Sequence, residues 1–340
     1  MPKNAMPDAA VRNVTMAGTR SCGSATACCT AEPNAPKSAR PATAAMRPAG
    51  ASTTSTAKNE DAAASTKYVE PVAMLAYQRL RGSGWASGLA ASAAVMEADD
   101  GILAGLGAGK IWAEMSTTDE AEVTRLGAKV AATGADAVDC PVSGGCHRAA
   151  TGNIAIFAGC ERSVFERMLP VLTVLGRRVL HTGPLGSASM LKVMTNYLAT
   201  ANLITLSEAL VTCKATGLDL NTTYEAIRIS SGNSFVHETE SQVILNGSRD
   251  INFTMDLVIK DISLFQELAD RAGVPLEISP KMIEIFKDGA ARYGPREWSP
   301  NIIRRLEEAT GLDIRAPGFP SEILDDEPEE PGYEVVADRG

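Results

Sequence analysis

Before Leu75 the chain contains no Leu, Ile, Phe or Trp, so its first fifth lacks the side chains from which a packed core is ordinarily built. From Met1 to Lys67 it runs through Ala, Thr, Ser, Pro and Gly with a slight basic excess. Burial of so little apolar surface cannot offset the entropy of ordering the backbone. Residues 1–70 are therefore expected to be a disordered or aberrant low-complexity segment. The same text fits out-of-frame translation of a GC-rich gene better than an organellar transit peptide, which it exceeds in length and whose amphipathic helix it lacks. Nothing in it reads as an ordinary nucleotide-binding opening.

The rest is ordinary globular text. At roughly 100–200 residues per domain, 340 residues have room for two. A formal charge of −9 argues against nucleic acid or an anionic membrane surface as a partner. The seven cysteines (22, 28, 29, 140, 146, 160 and 213) show no Cys-x-x-Cys spacing, and there are three histidines, so no metal site is expected. We read the thiols as free, in a reducing compartment, the cytoplasm. No stretch approaches the ~18 consecutive apolar residues of a membrane span.

From about residue 100 the hydrophobic pattern alternates between helix and strand. Strands are expected at Lys110–Met115, Ala137–Val142, Asn153–Ala158 and Arg178–Thr182, with helices at Asp119–Thr133, capped by Thr118 or Asp119, and Glu161–Leu175. Beyond Gly186 the pattern is helical for over a hundred residues. A long helix from Ser187 to Thr216 should end at Gly217 as a left-handed cap, with further helices near 222–230, 236–245, 254–272, 278–293 and 302–310. The fold class is α/β followed by all-α: a partial or degraded Rossmann-like parallel sheet over 71–185, then an all-helical domain over 186–315 built on a long interdomain helix. Residues 316–340 read as a solvated acidic tail.

Two clusters could carry chemistry. Lys192 and Asn196 lie one turn apart on a single helix face, an amine and a carboxamide. Burial or a neighbouring cation can lower a lysine's pKa enough for it to act as a base near neutrality. Ser143-Gly144-Gly145 follows a strand, at the edge where open α/β sheets bind ligands, and its amides can grip an anion. In isolation the first pair is ordinary surface usage and the second a plain turn.

Their order along the chain is more telling. Asp139-Cys-Pro-Val-Ser-Gly-Gly145, Thr151-Gly-Asn153, His181-Thr-Gly183 with Gly186, Lys192 with Asn196, Ser207-Glu-Ala209, and Phe253 with Lys260-Asp261 together resemble the β-hydroxyacid dehydrogenase family over about 97–293. That resemblance implies an NAD- or NADP-dependent oxidoreductase acting on a small anionic β-hydroxy acid or its semialdehyde. It makes Lys192 the acid/base and Asn196 the substrate-orienting amide. Ser143, Gly144 and Gly145 become the carboxylate loop, while Thr117 and Lys260 stand on the cofactor side. It also implies a homodimer or homotetramer.

The chain departs from that family in two places. The Gly-x-Gly-x-x-Gly opening that holds a cofactor pyrophosphate is missing, and Gly82-Ser-Gly84-Trp-Ala-Ser-Gly88 has one residue too many before its third glycine. Hence a reading from another class stands beside the enzyme: a non-catalytic remnant retaining ligand binding or oligomerisation. After the double glycine come Cys146-His147-Arg148, where Arg148 is placed to meet a second anionic group of the substrate. Asn233, in Ser230-Ser-Gly-Asn-Ser234 before Phe235, is a further candidate for shaping the substrate pocket, with a helix-ending turn as the alternative. His181 and His237 are read as structural.

Overall fold

The computed structural model describes residues 14–17 and 88–337. The remainder, including the apolar stretch at 72–77 and the glycine cluster from Gly82, lies outside the described residues.

Among the described residues, seven strands form one sheet: β1 (Val14–Ala17), β2 (Ile111–Glu114), β3 (Asp136–Asp139), β4 (Val142–Ser143), β5 (Ala155–Gly159), β6 (Arg178–Gly183) and β7 (Tyr333–Val335). Their order is β1-β2-β3-β5-β6-β7, with β4 on β5. β1, β2 and β3 pair in parallel, as do β5, β6 and β7. β5 runs antiparallel to β3 and β4. The expected parallel sheet thus has a reversed joint at its centre. A parallel crossover needs a dozen or more residues, and the link from Ser143 to Ala155, carrying the short helix α4 (Gly145–Ala150), is too tight for one.

Helices cover both faces. Along β2 the side chains alternate, as period two requires. Ile111 and Ala113 join Phe165, Met168 and Leu172 of α5 (Arg162–Leu175), whereas Trp112 packs with Met96 of α1 (Gly88–Glu97) and with Leu126 and Val130 of α3 (Glu120–Ala132). A single turn, α2 (Ile102–Gly105), precedes β2. The α3 stripe of Val123, Leu126, Gly127 and Val130 has the i, i+3, i+4, i+7 spacing of a one-faced helix. Asp119 stands at its N-cap without capping it, because the carboxylate reaches Arg271 instead, at 2.7 Å.

The second domain begins with α6 (Ser187–Ala215), whose 29 residues span about 43 Å at ~1.5 Å each. As expected, Gly217 follows in left-handed backbone at φ +86°. Around α6 pack α7 (Leu220–Arg228), α8 (Phe235–Asn246), α9 (Met255–Arg271), α10 (Ser279–Tyr293), a 3-10 turn (Ser299–Ile303) and α11 (Arg304–Thr310). Leu210, Ile244, Ile262, Phe286 and Ile303 lie at the centre of their common core, all fully buried.

Two expectations need correction. Within the low-complexity opening, Val14–Ala17 supplies a strand; ladder pairing uses backbone N–H and C=O groups, which four modest residues provide as well as any others. The tail from Asp325 is docked rather than solvated. Its carboxylates meet Arg148, Arg177 and Arg178, and residues 333–335 close the sheet on β6.

Candidate active site

At the carboxyl end of β2 the chain turns through Met115-Ser116-Thr117-Thr118, and the last three are almost completely buried. Lys260, on α9, donates from Nζ to the Thr117 carbonyl at 2.6 Å and pairs with Asp261 at 2.6 Å. Asp261, 1% exposed, accepts a hydrogen bond from Asn196 Nδ2 at 2.5 Å. A continuous polar chain therefore runs from the β2 end through Lys260 and Asp261 to Asn196. Burial makes such a chain rigid, since each member is costly to leave unpaired. Lys192 lies one turn before Asn196 on the same helix and is only 8% exposed.

What aims α6 is a residue to which the sequence reading assigned no role. Asp139, at the end of β3, is fully buried and receives the amide N–H of Gly186 at 2.8 Å and of Ser189 at 2.7 Å. These are amides that the first turn of a helix leaves unpaired. Burial pushes the Asp139 carboxyl up, against the amides, which favour the carboxylate. The neighbouring strand leaves space for nothing more: a Cβ at Gly159 would stand 2.3 Å from Asp139 Oδ1 and 3.0 Å from the Ala188 nitrogen.

Glu114 is the second buried acid at this edge, in register with Asp139 across the β2–β3 pair. Its Oε1 accepts from the Ser116 amide and hydroxyl, while Oε2 has no partner. Burial, reinforced by the Asp139 charge and opposed by the Ser116 bonds, pushes its pKa up to about 7. Thr118 Oγ1 is likewise buried without a partner. Cys140 and Cys160, just behind, are held as neutral thiols by burial.

Ser143 pairs with Ala155 in the short ladder, and Gly144 and Gly145 take φ of +132° and +85°, backbone that glycine adopts without strain. His147 and Arg148 fold back over them. A Cβ on Gly144 would lie 3.1 Å from Arg148 Cδ, and one on Gly145 2.9 Å from His147 Cε1. Both side chains then meet Phe235, the first residue of α8: the Arg148 guanidinium sits 4.8 Å from the ring centroid and the His147 ring stacks at 6.1 Å. Burial, with the Arg148 charge, pulls the His147 pKa down.

The structure thus gathers Thr117, Lys260 and Asn196, with Lys192 beside them on α6, and separately Gly144 and Gly145 with Phe235. Two candidates are engaged otherwise. Arg148 donates to Glu327 at 2.6 Å, so its guanidinium lies on the tail and not at an open anion site. Asn233 bonds Glu238 at 2.7 Å and the Ser234 amide at 2.8 Å, and belongs to the turn that starts α8, where Ser234 caps. The charged residues given no role, Asp139, Asp261 and Glu114, left one signal: an acid among apolar strand or helix-face neighbours, which must find donors inside. His237, fully interior, donates from Nε2 to the Tyr224 carbonyl and accepts from Ser241, a structural arrangement.

Comparison with known proteins agrees with this layout. Residues 87–183 match the family model described as the NAD binding domain of 6-phosphogluconate dehydrogenase. Residues 186–306 match that of the NAD-binding of NADP-dependent 3-hydroxyisobutyrate dehydrogenase. The chain is 34% identical over 221 residues to 2-(hydroxymethyl)glutarate dehydrogenase of Eubacterium barkeri, which covers 65% of this chain and 73% of that one. It is 27% identical over 226 residues to 3-sulfolactaldehyde reductase of Escherichia coli K12, covering 65% and 74%. Among solved structures, 3-hydroxyisobutyrate dehydrogenase from Salmonella typhimurium shares the fold, with a TM-score of 0.59 and 24% identity over 64% of this chain and 76% of that one.

Proposed function

Because the chain belongs to the β-hydroxyacid dehydrogenase family, we propose that it oxidises a small β-hydroxy acid, or reduces the matching semialdehyde, with NAD or NADP and with Lys192 as the acid/base. The supporting observation is the buried polar chain of Thr117, Lys260, Asp261 and Asn196 beside a lysine that is itself buried. A nicotinamide supplies the hydride acceptor or donor. The residues present fit such a group at one end: buried hydroxyls and the unpartnered Glu114 Oε2 and Thr118 Oγ1 crowd the carboxyl edge of parallel strands, where a carboxamide finds donors and acceptors. Thr117 and Lys260 would hold that end.

In the oxidative direction Lys192 Nζ takes the hydroxyl proton of the substrate and returns it in reduction. Asn196, held by Asp261 through one N–H, keeps its carbonyl oxygen and second N–H for orienting that hydroxyl. Ser143, Gly144 and Gly145 grip the carboxylate through backbone amides and the Ser143 hydroxyl. Asp139 positions all of this by fixing where α6 starts. On the same reading residues 186–315 form the substrate and oligomerisation domain of a cytoplasmic homodimer or homotetramer, which light scattering would size. Lys192→Met preserves side-chain volume and removes the titrating group. Turnover should fall by about 10²- to 10⁴-fold with the thermal melt retained, and near-normal turnover would reject Lys192.

A second reading has an observation of its own: both family matches begin at residue 87 or later. On it the chain is a non-catalytic remnant that keeps ligand binding or oligomerisation. Fluorescence titration with NADH and NADPH separates the two, since saturable binding supports the enzyme and its absence the remnant.

A further inference from the structure

Beyond residue 306, where the family match ends, the chain first completes the helical core and then crosses to the sheet. Ile314 is fully buried in that core. The Ala316 amide donates to Leu245, and the carbonyls of Phe319 and Ser321 accept from Asn246 and Ser248. After this Asp325 meets Thr151 and Asn153, and residues 333–335 add the last strand. The two domains are therefore joined twice, by α6 and by this segment. At its midpoint one carboxylate serves three guanidinium groups: Glu327 lies 2.6 Å from Arg148, 2.9 Å from Arg178 and 3.5 Å from Arg177. Asn153 fixes the same residue by its carbonyl, at 3.0 Å.

Arg148 is the link to the substrate loop. It lies so close to Gly144 that a Cβ there would come within 3.1 Å of its Cδ, and it stacks on Phe235, so its position sets how α4, the double glycine and the start of α8 meet. Without Glu327, Arg178 would lose its carboxylate, Arg148 would keep only the more distant Asp325 at 3.9 Å and Arg177 only Glu330, a net positive imbalance that favours outward movement of α4. We propose that residues 320–335 are a strap across the domain boundary and that Glu327 is a positioning residue, holding the carboxylate loop in shape through Arg148. The loop's role rests on the dehydrogenase reading above; the mechanical coupling does not.

The test uses the full chain carrying Glu327→Gln, a neutral isostere. Hydrogen exchange of the amides at 145–150 should accelerate by about tenfold or more, while that of the α9 and α10 core stays unchanged. In unmutated protein, raising ionic strength to about 1 M, where the screening length falls to ~3 Å, should accelerate the same amides, which keeps the test open if the variant folds poorly. For turnover, KM for the hydroxy acid should rise with kcat nearly constant. Glu327→Gln should add nothing to that effect in an Arg148→Met background, since the two act as one unit. Unchanged exchange at 145–150, equal acceleration throughout the sheet, or additive KM effects would overturn the strap. If no variant and no unmutated protein turns over, the dehydrogenase reading fails while exchange still decides the strap.

Discussion

The helical half is built from one continuous run of chain, whereas the sheet half is stitched from three. Every helix around α6 lies between Ser187 and Thr310, and each packs against a near neighbour in sequence. The sheet takes its edge strands from Val14–Ala17 and Tyr333–Val335, at opposite ends of the protein. Local contacts close cheaply, and distant ones carry a loop-closure entropy that grows with separation. The helical half should accordingly hold together on its own core, and the sheet half should depend on a few precise joints. Those joints are where a single substitution does most.

The largest expected effect is at Gly159, where β5 passes under the start of α6. Gly159→Ala drives a methyl into Asp139 Oδ1 and the α6 backbone, displacing the carboxylate from both amides it serves. Overpacking of this kind, with a buried acid left unpaired, should cost roughly 3 kcal/mol or more. Urea unfolding followed by sheet and helix probes checks it, and the sheet probe should move first. A loss below about 1 kcal/mol would show that the joint is soft.

The next effect is a stabilisation. Glu114 is buried with one oxygen unpaired and its pKa lies near 7, above an ordinary value of 4.5. Below 4.5 both folded and unfolded chains keep the proton. Between 4.5 and about 7 the unfolded chain ionises and the folded one does not, so stability falls as pH rises through that window. The loss is roughly 3 kcal/mol at ~1.4 kcal/mol per unit over that window. Glu114→Gln should abolish this slope and raise stability above neutrality, with little change at acid pH. Melts at both ends of the window would show an unchanged slope if Glu114 ionises freely, contrary to the burial argument.

The contrast between halves also explains what could be read from residues alone. Helix spans came out within a few residues because amphipathic periodicity is written locally, as in Val123, Leu126 and Val130 or in Gly217 as a stop. Lys192, Asn196 and the double glycine stood out as candidates because chemistry and order coincide. Partnerships across the chain were not. Asp139 meets amides 47 and 50 residues away, and Arg148 meets a glutamate 179 residues away. No spacing rule encodes such pairs. Tyr333-Glu-Val335 resembled a solvated tail because a ladder partner, not its own composition, makes it a strand.

The smallest expected effect tests how the outer joint is held. Burial pushes the Asp325 carboxyl up, but hydrogen bonds from Thr151 and Asn153 and the Arg148 charge outweigh it, so its pKa lies below the usual 3.8. Glu334, bonded by Arg162, shifts the same way. A depressed acid contributes stability that is present above its unfolded value and lost as pH falls through the folded one. The strap should therefore stay docked at mildly acid pH and loosen only as pH falls below the ordinary values of 4.5 for Glu334 and 3.8 for Asp325. Amide protection at Tyr333–Val335, followed by NMR from about pH 5 to about pH 3, reads this directly. Asp325→Asn keeps acceptors for Thr151 and Asn153 but not the charge facing Arg148. It should begin less protected and lose less on acidification, the remainder belonging to Glu334. Superimposable curves for the two proteins would mean that the backbone ladder to β6, and not the carboxylates, fastens the strap.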